Sequence, residues 1–356
     1  MVEDLNMSRQ NRKKEHLDFV LKTAQFPVEN GFSDLYLVYE ALPELDLDDV
    51  DTALYFMNKR LKAPFLINAM TGGHPEVKHI NRSLARSAAR TGIAMAVGSQ
   101  TAGLEDPKVR DTYKVARDEN PDGVLLANLS ALASPDMVKE AIAMIGADGI
   151  QLHLNVAQEL AMAEGERKFS HTLANIEKVV QQSPVPVIIK EVGFGLSRET
   201  IRKIYNLGVK YIDVGGKGGT DFITIEKMRS GRDGNGRFPN IGIATASSLI
   251  ETLSLNLPIS VTATGGFTGQ VDVACALALG AQLVGMAAHF LQVLAKGSEQ
   301  DLIERINNIK DDLRRTMLMT GAKDLKELTG KPVIITGFTA EWLLQRGVDI
   351  TKYTRR

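Results

Sequence analysis

Short apolar runs alternate with longer amphipathic segments along most of the chain, beginning at Pro64. Most runs end in glycine or a polar residue, and their starts lie mostly about 25 to 35 residues apart. That spacing accommodates a strand, a loop, a helix and a return, the pattern of βα units in a parallel sheet. The eight runs are 65–70, 93–97, 124–127, 149–154, 185–189, 211–214, 259–264 and 283–286.

Eight βα units are the number that closes a parallel sheet into a barrel, so the pattern predicts a parallel (β/α)8 TIM barrel. Helix boundaries agree with this division: Ser134 and Ser197 are suited to begin helices, and Gly146 and Gly208 to end them. An open doubly wound sheet would also hold eight units, and the periodicity leaves that alternative open.

Two segments flank the predicted barrel. Residues 1–60 form an N-terminal extension with a basic start, a predicted helix over 13–23 and little strand pattern. The barrel itself is predicted over 61–297, and residues 298–356 add helices, with Trp342 and Leu343 packing on its outer surface. No low-complexity linker separates these parts, so we expect one structural domain.

Composition excludes several functions. The 42 basic and 43 acidic residues leave a formal charge of −1, which provides no global field for nucleic acid or an anionic membrane. No apolar run approaches the roughly 18 residues of a membrane span, and no secretory signal is present. The single cysteine, Cys275, allows no disulfide framework. We therefore expect a cytoplasmic protein that binds neither nucleic acid nor membrane.

The ends of the last two barrel strands predict a phosphate site. In this fold, ligands bind where the strands end. Gly265, Gly266, Phe267 and Thr268 follow the seventh run, and Ala287-Ala288 follows the eighth. Their backbone N–H groups would converge on one anion near helix N-termini.

Other strand ends carry polar side chains suited to a heterocycle. Lys190 directly follows four apolar residues, so its charge would favour an electron-rich flavin ring or an anionic intermediate at the barrel mouth. Asn128 offers an amide that both donates and accepts hydrogen bonds. The remaining ends supply hydroxyl groups and glycines at Thr71, Gly72, Gly73, Ser99, Thr101 and Thr220.

The fourth run combines groups for substrate and metal. Strand alternation places His153 and Asn155 on one face with Gln151. Gln158 and Glu159 follow immediately, and a carboxylate at this point suits Mg²⁺, which also binds diphosphate oxygens. His153 taken alone would equally fit a buried structural histidine.

Six separated motifs resemble the flavin-dependent type 2 isopentenyl diphosphate isomerases, in family order. The resemblance implies that flavin mononucleotide (FMN) is the cofactor, surrounded by the strand-end residues from Thr71 to Ala288 named above, with Thr268 and Ala288 standing where many members carry arginine. It also implies that Arg12 and Lys13, with His16, bind a substrate diphosphate. The motifs are Arg12 to His16, Asn68 to Gly73, His153 to Glu159, Glu164 to Phe169, Lys190 to Gly195 and Gly216 to Thr220.

The reaction that the resemblance implies converts isopentenyl diphosphate to dimethylallyl diphosphate. Ser99, Thr101 and Asn155 are expected to contact substrate, Gln158 and His153 to position the alkene, and Glu159 to hold Mg²⁺. One proton is added and another removed without net redox, so reduced FMN is needed, with NADPH as its reductant. A homo-oligomer, tetramer or octamer, is also expected.

Two alternatives remain open at this point. An FMN-dependent 2-hydroxy acid oxidase could use the same barrel, but its His-Gly-x-Arg pattern is missing, since none of the six histidines precedes glycine. A non-catalytic phosphate-binding barrel would keep the glycine ends but would not need Gln158, Glu159 or Lys190.

Overall fold

The computed structural model describes residues 29–229, 241–269 and 271–356. The strands are β1 (Leu35–Leu37), β2 (Leu54–Phe56), β3 (Lys59–Leu61), β4 (Phe65–Ile67), β5 (Ala94–Ala96), β6 (Leu125–Ser130), β7 (Gly149–Leu154), β8 (Val187–Glu191), β9 (Tyr211–Asp213), β10 (Ser260–Thr264), β11 (Leu283–Met286) and β12 (Val333–Ile335). The α-helices are α1 (Lys78–Thr91), α2 (Thr101–Glu105), α3 (Asp111–Glu119), α4 (Pro135–Ile145), α5 (Val156–Ala161), α6 (Thr172–Gln182), α7 (Arg198–Asn206), α8 (Phe222–Arg229), α9 (Thr245–Leu253), α10 (Val271–Leu279), α11 (Ala288–Lys296), α12 (Glu299–Met319), α13 (Leu325–Thr329), α14 (Gly337–Gln345) and α15 (Thr351–Thr354).

Strands β4 to β11 form a closed barrel in chain order, and β11 pairs with β4 to complete it. Every neighbouring pair is parallel, including the closing pair, in which Gly285 lies opposite Leu66. All eight predicted apolar runs are therefore barrel strands. The predicted (β/α)8 barrel is confirmed, and the open-sheet alternative is excluded.

Burial explains why these runs read as continuously apolar. All three residues of β4 are buried, and so are all five residues of β8, because helices cover the outside of the barrel while side chains fill its inside. The predicted helix ends also hold: Ser134 accepts a hydrogen bond from Met137 N at 3.3 Å, and Gly146 adopts φ 55° after α4.

The terminal segments contain strands that the sequence pattern did not reveal. Strand β1 pairs antiparallel with β12, although about 300 residues separate them, and β2 and β3 form a hairpin. The expectation of little strand structure in residues 1–60 was therefore wrong for residues 35–61. Strands of three residues are too short to show alternation, and the hairpin turns through Met57 and Asn58, both at positive φ (49° and 61°).

The C-terminal helices pack against the barrel's outer layer, as expected. Leu343 is fully buried, and Trp342 donates from Nε1 to Glu251 Oε1 at 2.9 Å, which ties α14 to α9. The helix predicted over 13–23 lies outside the described residues. Within the described ranges, no helix has both the length and the apolar character that crossing a membrane requires.

Candidate functional site

The carboxyl ends of the barrel strands surround a cavity of about 660 Å³, a size typical of cofactor and substrate sites. Most of the side chains proposed from the sequence meet there. The predicted residues that line it are Ser99, Thr101, Asn128, His153, Asn155, Gln158, Glu159, Lys190, Thr220, Gly265, Gly266, Phe267, Ala287 and Ala288.

Four predicted cofactor residues lie behind the cavity wall. Thr71 is buried, and its Oγ1 has no hydrogen-bond partner among the described residues. Gly72, at φ 145°, packs against Tyr113, whose ring would lie 2.1 Å from an added Cβ, and Gly73 N donates to Thr112. Thr268 is exposed beside the glycine turn. The predicted Arg12, Lys13 and His16 lie outside the described residues.

A hydrogen-bonded chain of amides crosses the barrel interior to His153. Asn68 Oδ1 accepts from Ala69 N at 2.8 Å, and Asn68 Nδ2 donates to Asp213 Oδ2 at 2.8 Å. Because a backbone N–H only donates and a carboxylate only accepts, these two bonds fix which way the Asn68 amide points. Gln151 Nε2 then donates to Asn68 Oδ1 at 3.0 Å.

The same polarity continues to the histidine. Asn128 Nδ2 donates to Gln151 Oε1 at 3.0 Å, so Asn128 Oδ1 faces His153 Nδ1, also at 3.0 Å. An amide oxygen can only accept, and therefore Nδ1 carries the proton. In the neutral ring, Nε2 is consequently the acceptor nitrogen.

Asp213 holds Lys190 in place at the other end of this chain. The Asp213 side chain is fully buried, and Lys190 Nζ lies 3.1 Å from its Oδ2. Gly215 N and Thr264 Oγ1 also donate to this carboxylate. Four donors thus converge on one buried carboxylate, and the lysine is fixed at the cavity wall.

The fourth-strand residues come together on one side of the cavity. Asn155 Nδ2 donates to Glu159 Oε1 at 2.8 Å and lies 3.4 Å from Gln158 Oε1. Glu159 Oε2 accepts from Glu166 N at 2.7 Å, so the carboxylate also anchors the loop after α5. Gly165 is required in that loop because an added Cβ would lie 2.0 Å from the Glu159 carbonyl oxygen.

The turn after β8 is organised by a buried carboxylate. Glu191 Oε2 accepts from the backbone N–H groups of Gly193, Phe194 and Gly195. Burial raises the pKa of Glu191 to about 7, although the bonds from Phe194 and Gly193 and the charge of Lys190 oppose that rise. This carboxyl therefore titrates near neutral pH.

Interlocking glycine turns form the opposite wall. A Cβ on Gly265 would lie 2.3 Å from Gly216 O, and one on Gly266 would lie 2.3 Å from Gly218 O. Asn30 braces the turn by donating from Nδ2 to Gly266 O at 3.1 Å. Only backbone fits between these turns, which leaves a surface of peptide groups at the ends of β9 and β10.

His289 lines the cavity beside this wall. Its Nε2 accepts from Arg305 Nε at 2.9 Å, and Arg305 Nη2 donates to the Thr268 carbonyl oxygen. Burial, with a further contribution from the Arg305 charge, lowers the pKa of His289 to about 4. The ring is therefore neutral at pH 7.

Sequence reasoning missed Asp213, His289 and Arg305. Asp213 did carry a signal, since a carboxylate inside an apolar strand run must find buried partners. His289 and Arg305 gave none, because their contact joins two helices that the sequence alone does not bring together.

Solved structures of flavin enzymes share this fold. A lactate oxidase from Pediococcus acidilactici aligns with a TM-score of 0.67 at 15% identity, over 95% of each chain. A flavocytochrome b2 mutant with benzoylformate aligns with a TM-score of 0.66 at 18% identity, over 90% of this chain and 82% of that one. At such low identity these likenesses concern the fold alone.

Sequence comparisons are closer. The family model described as FMN-dependent dehydrogenase matches residues 124–335. The isopentenyl-diphosphate delta-isomerase of Moorella thermoacetica is 50% identical, over 95% of this chain and 96% of that protein. The protein of the same name from Bacillus licheniformis is 43% identical, over 98% and 100% respectively. The chain therefore belongs to the isopentenyl-diphosphate delta-isomerase family, on the FMN-dependent dehydrogenase barrel.

Proposed function

We propose that this protein converts isopentenyl diphosphate to dimethylallyl diphosphate, using FMN and Mg²⁺ in the barrel cavity. The observation that carries the proposal is the meeting of His153, Gln158 and Glu159 in one cavity, across from the glycine turns. Family membership supports the same substrate. A purely phosphate-binding barrel would not require this polar cluster.

The residues present fit FMN. The glycine wall has no room for side chains, so peptide groups face the cavity, where the flat flavin and its phosphate need close backbone approach. We propose that Ser99, Asn128, Lys190 and Thr220 hold the ring. The turn from Gly265 to Thr268, with Ala287 and Ala288, would hold the phosphate, and Thr71, Gly72 and Gly73 would support the site from behind.

The donor set also fits Mg²⁺ held through a single carboxylate. No group of three or more His, Cys, Asp or Glu side chains in the described ranges could hold a metal ion by itself. Mg²⁺ commonly binds one or two carboxylates together with substrate phosphates and waters. Glu159 would therefore bind the ion jointly with the diphosphate, toward which Arg12, Lys13 and His16 would also contribute.

The reaction adds a proton to the terminal CH₂ of the substrate and removes one from C2, so the double bond moves and no electrons are lost. When bound and reduced, FMN supplies acid–base capacity for this exchange. Gln158 and His153 position the alkene, and the amide chain holds His153 with its proton on Nδ1. Ser99, Thr101 and Asn155 complete the substrate pocket.

Three further features belong to the proposal. NADPH is the reductant that prepares the flavin, and the protein acts in the cytoplasm. We also propose a homo-oligomer, either a tetramer or an octamer. The exposed apolar side chains of Tyr36, Ile334 and Phe338, on and beside the β1–β12 sheet, support such an association.

The test is an isomerase assay of the full-length protein with isopentenyl diphosphate, with and without reduced FMN and Mg²⁺. Conversion is expected only when both are present. Gln158→Ala should lower kcat/KM by about 100-fold through lost positioning, and Glu159→Gln should raise the Mg²⁺ requirement. Gln300→Ala, an exposed change on α12, is the matched control. Flavin reduction by a short 2-hydroxy acid, without isomerisation, would refute the proposal in favour of the oxidase alternative.

A further inference from the structure

The anion site at the glycine wall has no basic side chain of its own. The segments 264–269 and 285–291, which end β10 and β11, contain neither lysine nor arginine. A phosphate ester carries between one and two negative charges at pH 7. Backbone N–H groups alone would therefore have to offset that charge.

One turn N–H is already directed at a carboxylate. Thr268 N lies 3.3 Å from Asp272 Oδ2, which adds a negative charge close to the same turn. Both the ligand and Asp272 thus call for a cation near Thr268. The structure supplies one from helix α12, which lies outside the barrel strands.

Arg305 reaches this turn from α12 through two contacts. Its Nη2 donates to the Thr268 carbonyl oxygen, and its Nε donates to His289 Nε2 at 2.9 Å. The first contact places the guanidinium at the turn itself. The second couples it to a ring that lines the cavity.

The contact with Arg305 also determines what His289 offers. Because Nε2 accepts from Arg305, a neutral ring must carry its proton on Nδ1. A neutral ring agrees with the lowered pKa of His289. His289 is therefore a hydrogen-bond donor through Nδ1, while the positive charge stays on Arg305.

We propose that Arg305, acting with His289, provides the cationic part of the FMN phosphate site and so makes the protein prefer FMN over riboflavin. Arg305 contributes charge from the second layer, and the His289 ring donates a hydrogen bond at the cavity. This inference rests on the proposed use of FMN. Its test needs no substrate, so failure of the isomerase proposal would be seen separately.

The experiment measures FMN and riboflavin binding to the deflavinated full-length protein by quenching of flavin fluorescence, over a series of salt concentrations. Arg305→Gln should weaken FMN binding by about tenfold or more, because it removes a charge-assisted contact. Riboflavin binding should change by less than about twofold, since it has no phosphate. Arg305→Lys, which keeps the charge, should retain part of the preference.

The matched control is Arg315→Gln on the same helix, where Arg315 pairs only with the exposed Asp312. It should bind both flavins as the wild type does. Equal weakening of both flavins by Arg305→Gln would indicate a merely structural role and overturn the proposal. Unchanged FMN binding together with a raised KM for isopentenyl diphosphate would assign Arg305 to the substrate and also overturn it.

A wild-type measurement covers the case in which Arg305→Gln does not fold. FMN affinity should fall with rising salt while riboflavin affinity stays nearly constant. Wild-type protein that binds the two flavins equally at every salt concentration would contradict the inference without any variant.

Discussion

Replacing Asp213 by asparagine should destabilise the protein strongly. The Asp213 side chain is fully buried, and Lys190, with 10% of its side chain exposed, lies 3.1 Å away. Removing one partner of a buried ion pair leaves the other charge uncompensated, which costs about 3–5 kcal/mol. The new amide NH₂ would also face the donors of Asn68 or Lys190, so repacking could not recover the lost contacts.

Thermal unfolding of the flavin-free protein gives the size of the effect. At about 2.1 cal/mol/K per residue over 356 residues, 3–5 kcal/mol corresponds to a loss of about 4–7 °C in Tm. The double variant Asp213→Asn/Lys190→Met should be more stable than Asp213→Asn alone, because no unpaired charge remains. Asp312→Asn, in an exposed pair, is the control and should change Tm by less than about 1 °C. A Tm loss below about 1 °C, or purely additive effects in the double variant, would refute the reasoning.

Three other changes test separate parts of the structure. Gly216→Ala should cost at least about tenfold in FMN affinity, because its Cβ would lie 2.3 Å from Thr245 Cα; fully flavin-loaded protein would contradict this. For Glu191, whose raised pKa of about 7 means that the folded state binds its proton more tightly, the stability of wild type relative to Glu191→Gln should fall by roughly 3 kcal/mol as pH rises from about 4.5 to about 7; a constant difference in urea unfolding would argue against it. Arg346→Met should lower unfolding free energy by about 3 kcal/mol, because buried Glu251 loses its cation, and a loss below about 1 kcal/mol in the same assay would count against that pair.

The barrel could be predicted from the sequence because its strands are buried on both faces. Continuous apolar runs such as 185–189, separated by amphipathic helices, leave a signal that survives without any knowledge of distant contacts. The strand ends could be assigned for the same reason, since a polar side chain directly after such a run must lie at the barrel mouth. Lys190 and Asn128 are examples.

The features that escaped prediction depend on contacts between distant segments. Strand β1 exists because β12 pairs with it, and no local pattern records that partnership. Arg305 meets His289 only because α12 folds back beside α11. The glycines at 72 and 73 were assigned to the flavin as a permissive backbone, but Gly72 is required by the ring of Tyr113, a residue 41 positions later in the chain.

The central claim is a proton transfer without net redox in this cavity, and counting turnovers per reducing equivalent tests it most directly. Anaerobic protein loaded with FMN is reduced once by NADPH, freed of excess NADPH, and given isopentenyl diphosphate with Mg²⁺. The account predicts many molecules of dimethylallyl diphosphate per protein, with the flavin still reduced at the end. Absence of dimethylallyl diphosphate, or flavin oxidation in step with each product formed, would contradict it.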